Sequence, residues 1–214
     1  MTALLASALL RPEGFELRWR PTEGVTTKVR TEVEFRRDGV VTTLESHHTR
    51  RVVSVHADGS YTVRSTSEGT LMRTQGQELR DGRANSVDLA YGAAGNLTHF
   101  LVGKGSPMAA RIAGFNGFVA PASKVAVGET YRFERAAGAD GLPASELGFK
   151  LVRVDGEAAT LEVSFRETSG ADRASGAGTW KVDVRTGQPV SLELNLRGFK
   201  TGLGDLVRYR LTRL

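Results

Sequence analysis

The sequence predicts an all-β protein, an antiparallel meander that forms a curved sheet or an open half-barrel with one short helix. Three observations support this fold class. Apolar and polar residues alternate along many short segments, Asp-Gly pairs separate these segments, and long helical periodicity is missing. With 214 residues, 40% of them hydrophobic and 25% charged, the chain is large enough for one β domain with a substantial core.

Alternating segments of the kind that form half-buried strands recur along the chain. In KVRTEVEF, which begins at Lys28, Val29, Val33 and Phe35 fall on one face and charged residues on the other. The same pattern occurs in YRFERA, KLVRV, TLEVSF, TWKVDV, SLELNL and VRYRL, which begin at residues 131, 150, 160, 179, 191 and 207. Each segment is expected to turn its apolar face toward a core.

Short turn signals lie between the alternating segments. They are the Asp-Gly pairs at 38–39, 58–59, 81–82 and 155–156, and the Thr-Gly pair at 186–187. Asp-Gly is a strong hairpin signal because a type I′ turn requires a positive φ at both central residues. These pairs therefore predict a series of hairpins, which is an antiparallel meander.

A loose internal duplication suggests how the domain is organised. VVSVHADGSYTVRSTSEGT (52–70) and LVRVDGEAATLEVSFRETSG (151–170) share a strand, an Asp-Gly turn, a second strand and an exit rich in Ser and Thr. We expect a single β domain over 11–214. It contains either two related halves, 15–84 and 125–214, joined by 85–124, or hairpins that merely look alike. A true repeat would give two related meanders in one continuous sheet.

The first ten residues, MTALLASALL, are apolar and uncharged, and they contain Ala6-Ser7-Ala8, which is similar to a signal-peptide cleavage site. The basic region that begins a signal peptide is missing. Residues 1–10 are therefore either a signal-peptide remnant or a first structural element, too short to cross a membrane. A periplasmic or secreted location is favoured, and a cytoplasmic location remains the alternative.

Composition argues against several partners and chemistries. The formal net charge is +5, but Arg alternates with Glu and Asp along the whole chain, so no nucleic-acid partner is expected. The chain has no cysteine, which excludes disulfides, zinc-thiolate sites and thiol nucleophiles.

Three of the four histidines, His47, His48 and His56, lie close together in the sequence. Neighbouring residues of a strand point to opposite faces, so His47 and His48 cannot ligate one metal ion without a bulge. His56 precedes an Asp-Gly turn, where exposure is expected. The prediction is solvated strand histidines, with no metal site and no other cofactor.

Motifs that would indicate catalysis are missing as well. The sequence contains no G-x-S-x-G, no phosphate-binding loop and no dinucleotide-binding fingerprint. Carboxylates such as Glu32 and Glu34 lie on polar strand faces without an apolar surround. We therefore predict no catalytic residue and expect that the protein is not an enzyme.

Residues 85–124 break the strand pattern, because Gly and Ala are dense and charge is sparse. Ser106-Pro107 predicts the start of a helix, with Ser as the cap and Pro at the first helical position. Gly114 or Gly117 would end it. We expect one short amphipathic helix that lies across the sheet.

The apolar residues of this segment are the candidate ligand-binding residues. Met108, Ile112 and Phe115 share one face at helical spacing, and Phe118 follows them. These four side chains either cover the mouth of an apolar cavity or fill the core.

The apolar leader, the long meander with Asp-Gly turns and the mid-chain helix together resemble exported bacterial β-proteins. The pattern is similar to the lipoprotein-carrier (Lol-type) half-barrel family, in which helices cover a strongly curved sheet that holds an acyl chain. The resemblance is architectural, covers most of the chain and assigns no site residue. It implies a carrier of an acyl group.

The favoured function is a non-enzymatic binding or carrier protein of the cell envelope, with peripheral association and an apolar ligand such as a lipid or acyl chain. The alternative is a structural or protein-interaction module that makes contacts through edge strands and binds no small molecule. A cavity under 85–124 would favour the first function, and an elongated sheet without a cavity would favour the second.

Overall fold

The computed structural model describes residues 14–102, 107–138 and 141–214, so the expected leader, 1–10, lies outside the described residues. Within these ranges the chain forms thirteen strands and one helix, α1 (Pro107–Ala113). The strands are β1 (Thr26–Arg37), β2 (Val40–Val55), β3 (Tyr61–Thr74), β4 (Gln77–Asp81), β5 (Asn85–Tyr91), β6 (Leu97–Val102), β7 (Thr130–Arg135), β8 (Ser145–Asp155), β9 (Ala158–Glu167), β10 (Ser175–Asp183), β11 (Pro189–Arg197), β12 (Lys200–Thr201) and β13 (Gly204–Arg213). The all-β fold class is confirmed.

The sheet consists of two successive antiparallel meanders. The strand order is β6-β5-β3-β2-β1-β13-β11-β10-β9-β8-β7, with β4 paired to β3 and β12 to β13. The first meander starts with β1 at the centre and ends with β6 at one edge. The second starts with β7 at the opposite edge and returns to the centre, where β13 pairs with β1. Residues 107–129, here called the crossover, lie between these two edges in the sequence.

The sheet curls around the crossover. A Cβ atom on Gly117 would lie 3.1 Å from the ring of Tyr91 on β5, whereas the ring of the next residue, Phe118, lies 5.9 Å from that of Phe149 on β8. Strands β5 and β8 are eight positions apart in the sheet, about 38 Å if it were flat. Both can meet one short segment only if the sheet is strongly curved. No ladder joins β6 to β7 in the described chain, so the sheet is open.

The predicted alternation is confirmed in most of the segments that the sequence singled out. Bulges interrupt it in 150–154 and at Val207, where the buried residue is Leu206. On β9, for example, Leu161, Val163 and Phe165 are buried and the residues between them are exposed. The outer face carries ion pairs between neighbouring strands, such as Arg210 with Glu32 at 2.7 Å. The interspersed Arg and Glu of the sequence are therefore cross-strand partners on a solvated face.

Four of the five predicted turns join strands that pair with each other, but the turn predicted at Asp81-Gly82 is wrong. Strands β4 and β5 pair one after the other with the same strand, β3, so residues 82–84 interrupt one edge and do not form a hairpin. The conformations of the other turns also differ from the expectation. Asp38-Gly39 has positive φ at both residues, 49° and 80°, as a type I′ turn requires. At the other Asp-Gly pairs the Asp residue does not have a positive φ. A second turn with two positive φ values, Gln75-Gly76, joins β3 to β4, and the sequence reading did not predict it.

The helix begins at Pro107 as predicted and ends before Gly114, the first of the two expected stops. Its predicted cap, Ser106, lies outside the described residues. Phe115 comes after the last helical residue, where its amide N–H donates to the Ile112 carbonyl. The helix is therefore shorter than the sequence suggested, and Phe115 is part of the turn that follows it.

The expectation that 85–124 breaks the strand pattern is wrong for its first half. Residues 85–91 and 97–102 form β5 and β6, which extend the sheet at its first edge. The inward residues of β5 are Val87, Leu89 and Tyr91, which alternate as in other strands. The strand was missed because the segment is short and the residues that follow it are rich in Gly and Ala. The repeat of 15–84 and 125–214 stays a prediction.

Candidate ligand cavity

The inner face of the sheet differs between the two meanders. In the second meander inward side chains such as Leu161, Trp180 and Leu192 form a dry core, each at most 2% exposed. In the first meander Ser65 is buried on β3, directly opposite Arg50 of β2 in the ladder. Directly paired residues share a face of the sheet, so Arg50 also points inward.

A cavity of about 70 Å³ lies between this polar region and the crossover. Its walls come from β1, β2, β3 and β5, from residues 116–118 of the crossover and from Trp19, which precedes β1. One water molecule needs only about 10–15 Å³ by the same measure. The cavity therefore has room for several non-hydrogen atoms of a small molecule.

Aromatic side chains form one side of the cavity. The rings of Tyr61 and Tyr91 stack with centroids 5.2 Å apart, and Trp19 meets Tyr61 edge-on at 5.3 Å. Phe118 lines the cavity from the crossover. These flat apolar surfaces suit a hydrocarbon or aromatic body.

Arg50 is the charged residue of the cavity lining. Its Nε atom is buried and has no hydrogen-bond partner. Within the described residues no carboxylate forms an ion pair with its guanidinium, and the lining contains no Asp, Glu or His. The positive charge of Arg50 is therefore uncompensated by the protein around the cavity.

The tyrosines next to Arg50 remain neutral at physiological pH. Burial raises the pKa of Tyr61, and the neighbouring Tyr91 adds to this, whereas the charge of Arg50 acts in the opposite direction. Burial also raises the pKa of Tyr91, again opposed by Arg50. Both phenols keep their protons and offer Arg50 no negative charge.

The amide side chains around the cavity have partners within the protein. The side-chain amide of Gln188 donates to Thr27 Oγ1 at 3.0 Å, and its oxygen accepts from Arg213 at 2.6 Å. The Tyr209 hydroxyl donates to Asn116 Oδ1. These bonds hold the amide side chains of Gln188 and Asn116 in place, and they leave Arg50 as the charged group of the lining that can bind a ligand.

An open basic pocket of about 630 Å³ adjoins the cavity on the solvent side. Trp19, Val25 and Gln188 line both spaces, so they separate the outer pocket from the inner one. The outer pocket is lined by Arg18, Arg20 and Arg185. Of these, Arg20 pairs with Glu16 and Arg185 with Glu157.

The four predicted ligand-binding residues occupy different environments. Phe118 lines the cavity and also packs against Trp180. Phe115 lies in the core, edge-on to Phe165 with centroids 5.0 Å apart. Met108 and Ile112 are partly buried against the same core. The structure thus brings one of the four, Phe118, to the cavity, and the binding role of the set stays a prediction.

The sequence reading missed Arg50, Trp19, Tyr61 and Tyr91 as cavity residues. Trp19 is partly buried and lines the cavity. The sequence could have indicated that Arg50 points inward, because Arg50 lies two residues from Val52 on β2, on the same face, and Val52 is buried. That signal was weak because both faces of β2 carry polar residues.

The histidines are distributed as the alternation rule predicts. His47 is exposed on the outer face, whereas His48 points inward and lies 3.2 Å from Thr31 Oγ1. His56 and His99 are exposed. Burial, with smaller contributions from Arg50 and His47, lowers the pKa of His48 to about 4. The expectation of a solvated side chain is therefore wrong for His48. The described residues contain no group of three or more metal-ligating side chains.

A second polar cluster lies under α1. Arg111 donates two hydrogen bonds to Glu167 of β9, at 3.0 and 2.6 Å, and lies 4.2 Å above the ring of Phe199. Glu167 Oε2 also accepts from the Ala174 amide at 2.7 Å. These contacts attach the helix to the sheet and leave the carboxylate fully engaged.

Comparisons with known proteins give limited information. No family model matches the chain, including that of any lipoprotein carrier, and no curated protein shows significant similarity. Among solved structures the chain is similar to a "putative exported protein with YmcC-like fold" from Bacteroides fragilis, with 12% identity, covering 93% of this chain and 97% of that chain, and with a TM-score of 0.32. At that score no property of the Bacteroides protein is transferred. In the part of the chain that the structure describes, no helix has the length and hydropathy of a membrane span.

Proposed function

We propose that this chain is a non-enzymatic binding protein for a small, largely apolar ligand, which it holds in the cavity beneath the crossover. One observation carries the proposal: an aromatic-walled cavity remains inside a sheet whose other half is filled by side chains. Well-packed interiors leave few voids larger than a water molecule. An apolar cavity with a few polar groups is the usual form of a small-molecule site, and a volume of about 70 Å³ suits a small ligand.

The chemistry of the lining favours binding over catalysis. General acid–base or nucleophilic catalysis needs a carboxylate, a histidine or an activated nucleophile within reach of the ligand. The polar side chains of the described lining are Arg50, Tyr61, Tyr91 and three that already have partners, Thr27, Asn116 and Gln188. Burial raises the pKa of both tyrosines, so neither phenol is an activated base at neutral pH. Residues of this kind orient a ligand and do not activate it.

The location and the wider role follow from the same picture. A binding protein of the cell envelope, exported and carrying an acyl group as in the lipoprotein-carrier family, is consistent with an open curved sheet covered by a crossover. The structure has one short helix where that family has several, so the cover here is made largely of irregular chain.

Calorimetry with 1-hexanol, an uncharged probe, tests the binding function on the full chain. We expect saturable binding together with a change in the fluorescence of Trp19, because Trp19 lines the cavity while Trp180 is buried in the core. The variant Ala94→Leu places three more carbon atoms in the lining and should weaken binding. Ala122→Leu, at an exposed position of the crossover, is the matched control.

Absence of hexanol binding by the folded wild-type chain would contradict the proposal. Native mass spectrometry of the purified protein, with denatured extraction as control, adds an independent result. Mass that is lost on denaturation and identified as a small amphipathic molecule would identify the natural ligand.

A structural or interaction module is the second candidate. Strand β4 favours it, because all five residues are exposed and β3 is its partner in the sheet. Leu79 on this strand is 55% exposed. An open edge of this kind can pair with another strand. Self-association that appears in sedimentation and disappears in Leu79→Glu would support this function, and a monomer at all concentrations would count against self-pairing.

A further inference from the structure

The guanidinium of Arg50 has no anionic partner in the described chain, although the residue is partly buried and points to the inner face of the sheet. Its Nε atom is buried without a hydrogen-bond acceptor, and neither of its ladder neighbours, Thr27 and Ser65, carries a charge. A buried N–H group without an acceptor is unfavourable, and a charged group loses stabilisation when it is moved out of water without a partner. An anionic ligand in the cavity would supply both the acceptor and the opposite charge.

The surroundings of Arg50 define the charge and shape of that ligand. A cation would meet no carboxylate in the described lining and would be repelled by Arg50. A neutral polar ligand would leave the positive charge uncompensated. A planar carboxylate, in contrast, matches the forked N–H groups of a guanidinium and can accept two parallel hydrogen bonds.

The rest of the lining defines the body of the ligand. Beyond Arg50 the cavity is bounded by the stacked rings of Tyr61 and Tyr91, by Trp19 and by Phe118. These surfaces would lose water contacts favourably against a hydrocarbon or an aromatic ring. The cavity therefore has one charged end and an apolar remainder.

The outer pocket, through which a ligand would enter the cavity, carries a positive charge like Arg50. The outer pocket that adjoins it is lined by three arginines and one carboxylate, Glu16, which pairs with Arg20. Arg18 forms no ion pair within the described residues, so the pocket keeps a net positive charge. A basic entrance raises the local concentration of anions and not of cations. Entrance and cavity thus select for the same class of molecule.

We propose that the ligand of this cavity is an amphipathic monocarboxylate, whose carboxylate pairs with Arg50 and whose apolar body lies against Tyr61, Tyr91 and Phe118. This inference rests on the proposed binding function and names the chemical class of its ligand. It explains why an arginine occupies an inward position of β2. The residue opposite it in the ladder, Ser65, and the next inward residue of β2, Val52, are both buried.

The test compares two probes of equal length on the full chain at pH 7, hexanoate and 1-hexanol. Hexanoate should bind the wild-type protein roughly tenfold or more tightly than hexanol, because hydrogen bonds to charged groups are the stronger ones. Arg50→Met should remove this preference, because it weakens hexanoate binding far more than hexanol binding. Arg50→Lys keeps the charge and should retain part of the preference.

Arg51→Met is the matched control, because Arg51 is the next residue of β2 and is exposed on the outer face. It should leave both affinities unchanged. Equal affinities of the wild-type chain for the two probes would overturn the carboxylate assignment while the binding function stands. Failure of both probes to bind the wild-type chain would overturn the binding function and the assignment together. The wild-type comparison needs no variant, so it remains decisive if Arg50→Met does not fold.

Discussion

Arg111 of α1 and Glu167 of β9 form a two-hydrogen-bond ion pair in which the Glu167 side chain is 2% exposed and the Arg111 side chain 17%. This pair is the main polar attachment of the crossover to the second meander. Because the carboxylate also accepts the Ala174 amide, three donors depend on one buried side chain.

Removal of that carboxylate should destabilise the protein strongly. Glu167→Ala leaves the Ala174 amide without an acceptor and the Arg111 charge without a carboxylate, although Arg111 still donates to the Asp172 carbonyl. Breaking a buried pair from one side costs about 3–5 kcal/mol. Chemical denaturation measures the loss. Glu146→Ala, which breaks the exposed pair with Arg166, should cost about 1 kcal/mol or less. Equal losses in the two variants would contradict this role for Glu167.

Stability should fall as the pH is lowered from about 6.5 to 4, with His48 as one cause. Burial holds the pKa of His48 at about 4 in the folded protein, below its ordinary value of 6.5. Between these values the unfolded chain binds a proton that the folded chain does not, so acid favours unfolding. The full effect is up to about 3 kcal/mol.

Denaturation curves at several pH values measure the His48 effect. His48→Gln should flatten the dependence of unfolding free energy on pH in this window, because the titrating group is gone. His47→Gln, on the outer face, leaves His48 in place and should keep the wild-type slope. A wild-type slope in His48→Gln would show that His48 is not responsible.

Two phenylalanines of the crossover should separate stability from binding. Phe115 and Phe118 are both 5% exposed, and replacing either by Leu should cost about 1–2 kcal/mol. Phe118 lines the cavity and Phe115 does not. Phe118→Leu should therefore weaken the binding of 1-hexanol, while Phe115→Leu leaves it unchanged in calorimetry. The reverse result would place the ligand elsewhere.

A glycine beside the cavity should be intolerant of any side chain. Gly95 has a φ of 89°, and a Cβ atom there would lie 2.2 Å from the Phe118 carbonyl oxygen. Gly39 has a similar φ of 80° but open space around it. Gly39→Ala should cost about 1–2 kcal/mol from backbone strain alone. Gly95→Ala should cost at least about 1 kcal/mol more, because the crossover must also move. Similar melting temperatures of the two variants would contradict the close packing.

The strands were predictable because alternation is a local signal. Segments such as 160–165 contain inward residues that are uniformly apolar and outward residues that are polar, so their faces could be assigned without the fold. The two-residue turn at Asp38-Gly39 was equally plain. Gln75-Gly76 was missed because Gln rarely adopts a positive φ and gives no turn signal of its own.

The candidate site was not predictable in the same way. On β2 the inward set contains Ser46, His48 and Arg50 and the outward set contains His47 and Arg51, so hydropathy does not distinguish the two faces. The order of the strands in the sheet could not be predicted either, because the pairing of β1 with β13 depends on contacts between distant parts of the chain. Arg50 and Trp19 meet one cavity only through that order.

The position of β1 has a consequence for how the molecule is made. The ladder at the middle of the sheet joins the first strand, β1, to the last, β13, with Glu34 opposite Arg208. During synthesis, one edge of β1 therefore has no partner strand until β13, near the end of the chain, has been made. The β1–β13 ladder at the middle of the sheet is expected to form last. Such distant pairing slows folding. Charged side chains at 28, 30, 32 and 34 protect the waiting edge against neighbouring chains.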